Sequence, residues 1–123
     1  MQEIPHYIAG QRTTGRGMRR GDVYNPAWGE VTARLCLADA GDVDAAVAAA
    51  QAAWPAWAEM PPLKRARVMF RFKEILEREA PALAALISTE HGKTVPDALG
   101  EVTRGLEGVE FACGIPQLLK GEY

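Results

Sequence analysis

The sequence predicts a mixed α/β chain, with short strands and turns over residues 1–38 and about four α-helices over residues 39–123. Three observations carry this. A hairpin signal and a strand-like alternation fill the first part, an acidic pair at Asp39 and Asp42 opens an alanine-rich run, and Pro61-Pro62 opens a longer amphipathic stretch. In chain order, His6-Tyr7-Ile8-Ala9-Gly10-Gln11-Arg12-Thr13-Thr14 is a hairpin that bends at Ala9-Gly10. Gly15 to Gly21 is a flexible basic loop. Asn25-Pro26-Ala27-Trp28-Gly29-Glu30 is a turn: Asn before Pro starts it, Pro fixes φ, and Gly29 accepts the positive φ that closes it. Val31 to Leu37 alternates roughly and reads as a strand.

Helices follow. Asp39 with Asp42 three residues on resembles a capping box and opens a helix through about Ala53, which Pro55 is expected to end. From Pro61-Pro62 the next helix has Val68, Met69, Phe72, Ile75 and Leu76 as its buried stripe and Lys64, Arg65, Arg67, Arg71 and Lys73 as its wet face. Pro81 fits a first helical turn and divides this region into two helices, the second ending at His91 with Gly92 as the residue after it. The last helix starts near Pro96 and is interrupted at Pro116.

Charge and hydropathy exclude some partners. The 14 basic and 16 acidic residues leave a net charge of −2, so no overall field draws the chain to nucleic acid or anionic lipid. No run approaches the roughly 20 apolar residues that span a bilayer. The N-terminus lacks the basic flank and apolar run of a signal peptide, and the chain reads as cytoplasmic. Cys36 and Cys113 are far apart and belong to no CxxC spacing, and His6 and His91 stand alone, so neither a disulfide framework nor a metal site is expected. Cys113 continues an apolar stripe and reads as a structural thiol rather than a nucleophile. His91 reads as a helix-terminal cap. Arg12, Arg16, Arg19 and Arg20 suggest a phosphate site, but a solvated loop accounts for them better.

The most informative stretch runs from Thr103 to Glu122. Arg104 has Gly100 and Gly108 four residues to either side and Gly105 next to it, so bare backbone flanks a guanidinium on one helix face. The other face, Leu99, Val102, Leu106, Val109 and Cys113, repeats at spacings of three and four and points to a core. Spacing alone leaves two readings of Arg104 open: an ordinary surface pair with Glu101 or Glu107, the commoner case, or a ligand contact.

Five blocks, in order, resemble the amino-terminal segment of the aldehyde dehydrogenase superfamily: N-P-A-x-G-E, D-V-D-A-A-V-A-A-A, P-x-x-x-R-A-R-V-M-F, E-H-G-K-T and the final R-G-L-E-G-V-E-F-A-C-G-I-P-Q-L-L-K-G-E. The last block is similar to the CoA-acylating, NAD-dependent methylmalonate-semialdehyde dehydrogenases. The resemblance implies a Rossmann-like α/β cofactor domain, of which residues 1–123 are the amino-terminal part. It implies oxidative decarboxylation of a methylmalonate- or malonate-type semialdehyde to an acyl-CoA, with NAD and CoA as cofactors of the complete enzyme and neither expected to bind this chain alone. In that family the nucleophilic cysteine, the oxyanion asparagine, the general base and the glycine-rich cofactor turn all lie beyond the point equivalent to Tyr123, where a bridging segment used in oligomer contacts begins. No catalytic residue is therefore assigned. Arg104 alone carries over, as the arginine that grips the substrate carboxylate, while Lys93 needs no catalytic role. The expected partners are the semialdehyde and further copies of the protein, the latter through exposed apolar faces. Two alternatives stand beside this reading: a fragment of a non-acylating aldehyde dehydrogenase, and a free-standing helical interaction module.

Overall fold

The computed structural model describes residues 1–122; Tyr123, where the bridging segment is expected to begin, lies outside them. The chain forms two compact units, Met1–Trp57 and Ala58–Tyr123.

In the first unit the strands are β1 (Gln2–Ile4), β2 (His6–Ile8), β3 (Gln11–Thr13), β4 (Arg20–Tyr24) and β5 (Val31–Cys36), followed by helix α1 (Ala40–Glu59). The expected hairpin is present. β2 and β3 pair antiparallel, with Ala9 at φ 53° and Gly10 at φ 77°, so both central residues take the positive φ of a type I′ turn. The Asn25 turn also forms: its Oδ1 accepts the Ala27 and Trp28 N–H groups, and Gly29 sits at φ 70°.

Two strands go beyond the sequence reading. β1 pairs parallel with β5, Gln2 opposite Ala33, and β4 pairs antiparallel with β5 on its other side, giving the order β1-β5-β4. Neither has a local signature: β1 is three residues long, and β4 includes Gly21, Arg20 and Asp22. Their partner strand makes them strands. Arg20 on β4 ties the sheet further by donating Nε–H to Glu3 of β1 at 2.6 Å, and this bond is the main cause that holds the Glu3 carboxyl below its usual range. Cys36, 1% exposed at the end of β5, has its thiol pushed up by burial first and by Glu3 second.

The loop before β4, expected to be flexible, is tied down. Asp42, buried in the first turn of α1, accepts the backbone N–H groups of Arg16 at 2.7 Å and Gly17 at 3.1 Å, besides closing the predicted capping box with Asp39. The two glycines are required. A Cβ on Gly17 would lie 2.2 Å from the Leu37 carbonyl oxygen, and Gly15 has φ +71° beside the Asp42 carboxylate. The backbone N–H bonds, that of Asp39 first and that of Arg16 next, hold the Asp42 carboxyl below its ordinary value of 3.8 against the opposing effect of burial.

α1 continues through Pro55 to Glu59, beyond the expected stop at Ala53. The proline removes a single N–H, and the residues around it are exposed, so the Gln51 carbonyl has access to water.

The second unit holds α2 (Pro62–His91), α3 (Val95–Cys113) and the short α4 (Ile115–Leu118). α2 is one helix of 30 residues and includes Pro81, so the expected division there is corrected. Packing of α2 on α3, with Ala80 and Ala84 buried to either side of the proline, outweighs one missing bond at an exposed Pro81. Its end is as expected: Gly92 takes φ 85° and its N–H donates to the Ser88 carbonyl. α3 starts close to Pro96, capped by Thr94, whose Oγ1 accepts the Asp97 N–H. The interruption falls at Gly114, with Pro116 inside the first turn of α4.

The face of α2 that meets α3 differs from the expected one. Ala66, Ala80 and Ala84 are buried, and Met69, Lys73 and Leu76 are half-buried at the same helical spacing. Opposite them on α3 are Ala98, Val102 and Cys113, with Leu106 and Val109 half-buried, while Leu99, expected on this face, is 42% exposed and Ala98 takes its place. Val68, Phe72 and Ile75, expected in the core, are exposed at 50%, 47% and 39%. Lys73, expected in water, instead bridges Glu77 at 2.5 Å and Glu110 of α3 at 3.2 Å. Small residues win the seam because they let two helix axes approach closely, whereas large side chains at the same positions would hold them apart.

Two outcomes are expected. Asp42→Ala strips acceptors from three backbone N–H groups and Asp39→Ala from one, so Asp42→Ala lowers the circular-dichroism melting midpoint more. Because the folded carboxyl is depressed, its contribution is fully present above the ordinary value of 3.8 and disappears as pH falls through the folded value, so the gap between Asp42→Ala and the unaltered chain narrows below about pH 4. Separately, the exposed Val68–Phe72–Ile75 stripe is expected to drive association, and sedimentation velocity should show concentration-dependent oligomers that a Val68→Glu, Phe72→Glu double variant reduces.

Candidate functional site

Arg104 lies two and a half turns into α3, on the face turned away from the seam with α2. The helix forms there because Thr94 caps its start, Pro96 fits its first turn, and the apolar residues at spacings of three and four fix which side is buried. The side chain is exposed, and at Gly100, Gly105 and Gly108 nothing beyond the helix's own adjacent backbone lies within 4 Å of where a Cβ would stand. The notch expected from the glycines is thus open space around a guanidinium.

The surface pair does not form. Among the described residues Arg104 makes no hydrogen bond or salt bridge, and the two candidate carboxylates are otherwise disposed. Glu101 is taken by the Lys93 ammonium, which donates to its Oε1; that bond is the largest influence lowering the Glu101 carboxyl, and the field of Arg104 is the smallest. Glu107 is exposed on the C-terminal side, where an acid following a base is the weaker order for a helical pair.

Among the described residues neither cysteine lies beside Arg104. Cys113 is nine residues on, about 13 Å along the axis and half a turn round the helix, so it faces the seam while Arg104 faces out. It is 7% exposed, in keeping with a structural thiol. Cys36, in the other unit, is buried at the end of β5. In the basic loop, Arg20 is paired with Glu3, and the N–H groups of Arg16 and Gly17 are bound to Asp42, which leaves those two amides unavailable to a phosphate. Among the described residues no group of three or more His, Cys, Asp and Glu side chains has the arrangement of a metal site. No helix among them is long and apolar enough to cross a membrane.

Sequence reasoning gave Lys93 no role and did not single out Ser88, yet both are engaged at the start of α3. Ser88 Oγ donates to the Lys93 carbonyl at 2.7 Å across the Gly92 turn, and the Lys93 side chain, 19% exposed, runs back over α3 to Glu101. The pairing spans eight residues and a turn, so no helical periodicity announces it.

Residues 13–123 match the aldehyde dehydrogenase family. The chain belongs to that family. Malonate-semialdehyde dehydrogenase of Pseudomonas aeruginosa is 48% identical over 123 residues, covering 100% of this chain and 24% of that protein. The crystal structure of methylmalonate-semialdehyde dehydrogenase from Oceanimonas doudoroffii matches with a TM-score of 0.95 at 53% identity, over 99% of this chain and 25% of that one. A putative methylmalonate-semialdehyde dehydrogenase from Sinorhizobium meliloti 1021, solved in complex with NAD, matches with a TM-score of 0.95 at 46% identity and the same coverage. The chain therefore spans about a quarter of the length of these relatives, and its α/β arrangement of short strands followed by helices is that of their amino-terminal part.

In this aldehyde dehydrogenase segment the exposed arginine and the buried seam should respond oppositely to substitution. Arg104→Ala is expected to leave the thermal midpoint of the chain nearly unchanged, because among the described residues it removes no hydrogen bond or ion pair. Ala84→Leu and Ala98→Leu, each at 0% exposure, should cost about 1–3 kcal/mol by overpacking in denaturant titrations.

Proposed function

We propose that this chain is the amino-terminal part of a CoA-acylating, NAD-dependent methylmalonate- or malonate-semialdehyde dehydrogenase, with Arg104 holding the carboxylate of the substrate. What supports the reading is an unpaired arginine in an open glycine notch, in a chain whose relatives carry those names at 48% and 53% identity. A planar guanidinium grips a carboxylate through two parallel N–H bonds and stays charged at any working pH. Glycines at positions 100, 105 and 108 let a small acid approach the helix without meeting a side chain.

In the complete enzyme NAD would accept hydride and CoA the acyl group. This segment contributes the outer layer of the cofactor domain and the orientation of the substrate: a carboxylate fixed at Arg104 sets the direction in which the aldehyde carbon points. The same reading makes the parent enzyme a cytoplasmic homo-oligomer and this segment alone catalytically inert. The reading without CoA chemistry shares the family but gives an uncharged substrate no use for Arg104.

The experiment compares two aldehydes in the complete enzyme. Arg104→Leu should lower kcat/KM for methylmalonate semialdehyde about ten- to hundredfold more than for propanal, the loss that goes with one charge-assisted hydrogen-bonded contact. Equal losses for both aldehydes return Arg104 to an ordinary surface role. With the 123-residue chain alone, NADH formation in the presence of either semialdehyde and CoA should not exceed the buffer control.

A further inference from the structure

On the reading that Arg104 binds the substrate carboxylate, its usefulness depends on remaining unpaired, and a competitor stands within reach. Glu101 is three residues before Arg104 on the same helix face, where Cβ atoms are about 5–6 Å apart and an acid preceding a base is the favourable order. An internal carboxylate so placed would occupy the guanidinium in the absence of substrate and compete with it afterwards.

We propose that Lys93 is a positioning residue that keeps Arg104 free by sequestering Glu101. Four observations assemble the device. Gly92, in its left-handed conformation, turns the chain from α2 towards α3, with its N–H on the Ser88 carbonyl at 2.8 Å. Ser88 Oγ donates to the Lys93 carbonyl at 2.7 Å, so the Lys93 backbone is pinned directly before the Thr94 cap. The Lys93 side chain is mostly covered and its ammonium reaches Glu101 Oε1. Arg104, three residues on, has no hydrogen bond or salt bridge among the described residues.

The other charged groups nearby do not substitute for Lys93. His91 acts on Glu101 only through its field, as Arg104 does, while Asp97 is engaged by the Thr94 hydroxyl at 2.8 Å. Glu107 is the remaining carboxylate at helical spacing from Arg104, but it follows the arginine and is unfavourably ordered for pairing. The cation that decides whether Glu101 turns to Arg104 is therefore Lys93.

A purely structural Lys93, one that merely staples the turn to α3, predicts something different from a sequestering Lys93, and a double variant separates them. In the complete dehydrogenase, Lys93→Met releases Glu101. The KM for methylmalonate semialdehyde should rise about two- to fivefold, the strength of an exposed ion pair acting as competitor, with kcat and the kinetics of propanal unchanged. Lys93→Met combined with Glu101→Gln removes the released competitor and should return KM to the starting value, and Lys93→Arg should retain it. Should Lys93→Met not yield folded enzyme by circular dichroism, Lys93→Gln carries the same comparison with a polar side chain in place. An unchanged KM in the single variant, or a raised KM that Glu101→Gln does not rescue, overturns the proposal while leaving the role of Arg104 intact. If Arg104→Leu itself fails to discriminate the two aldehydes, both readings fall together, and that result is read from a different variant.

Discussion

The close packing of α2 on α3 is the constraint from which the rest of the second unit follows. Ala66, Ala80 and Ala84 on one helix meet a face carrying Ala98 and Val102 on the other, and residues this small allow the two axes to approach. Once the seam is set, the outward direction of every other α3 position is set with it, Arg104 included. The Gly92-Lys93-Thr94 turn must then reverse the chain within a short span. A left-handed glycine, a capping threonine and a serine hydroxyl on the intervening carbonyl satisfy its backbone. The seam is also charged at one place: Lys73 joins Glu77 to Glu110 across the two helices, a half-buried cation that holds two carboxylates rather than a solvated end.

The first unit rests on a different physics, that of a buried carboxylate satisfied by backbone. Asp42 brings a negative charge to the N-terminus of α1, where the helix dipole favours it, and collects amide hydrogens from Asp39, Arg16 and Gly17. One side chain thus caps a helix and fixes a loop 25 residues earlier in sequence. The glycines of that loop have their explanation here, because side chains at Gly15 or Gly17 would collide with the carboxylate or with the Leu37 carbonyl. A loop that composition marks as loose is ordered by a residue that composition places elsewhere.

For function, the informative fact is an absence of pairing where pairing is cheap. An arginine flanked by glutamates at helical spacing ordinarily settles on one of them, yet among the described residues Arg104 has no such partner, and Glu101 is engaged by Lys93. Membership in the aldehyde dehydrogenase family gives that arrangement a chemical context, and the relatives named for malonate and methylmalonate semialdehydes are what the proposed carboxylate contact rests on.

The sequence by itself determined the local features: the Ala9-Gly10 hairpin, the Asn25 turn, the Asp39–Asp42 box, the Gly92 stop and the start of α3. Each is decided by residues within a few positions of one another, where φ preference and capping dominate. The order of the five family blocks was legible too, and with it the position of Arg104. Tertiary structure alone decided the strands β1 and β4, whose only signature is their partner β5. It decided that the helices run through Pro55 and Pro81, since solvent access at the one and the buried Ala80 and Ala84 beside the other offset one lost amide bond. It also chose which face of α2 is buried. Hydrophobicity marks Val68, Phe72 and Ile75 as the face that wants cover, but which face meets α3 is settled by how closely two helices fit, and there the alanines win. The engagement of Glu101 beside Arg104 belongs to the same class, because its partner is a lysine from beyond the turn that no periodicity within α3 reveals.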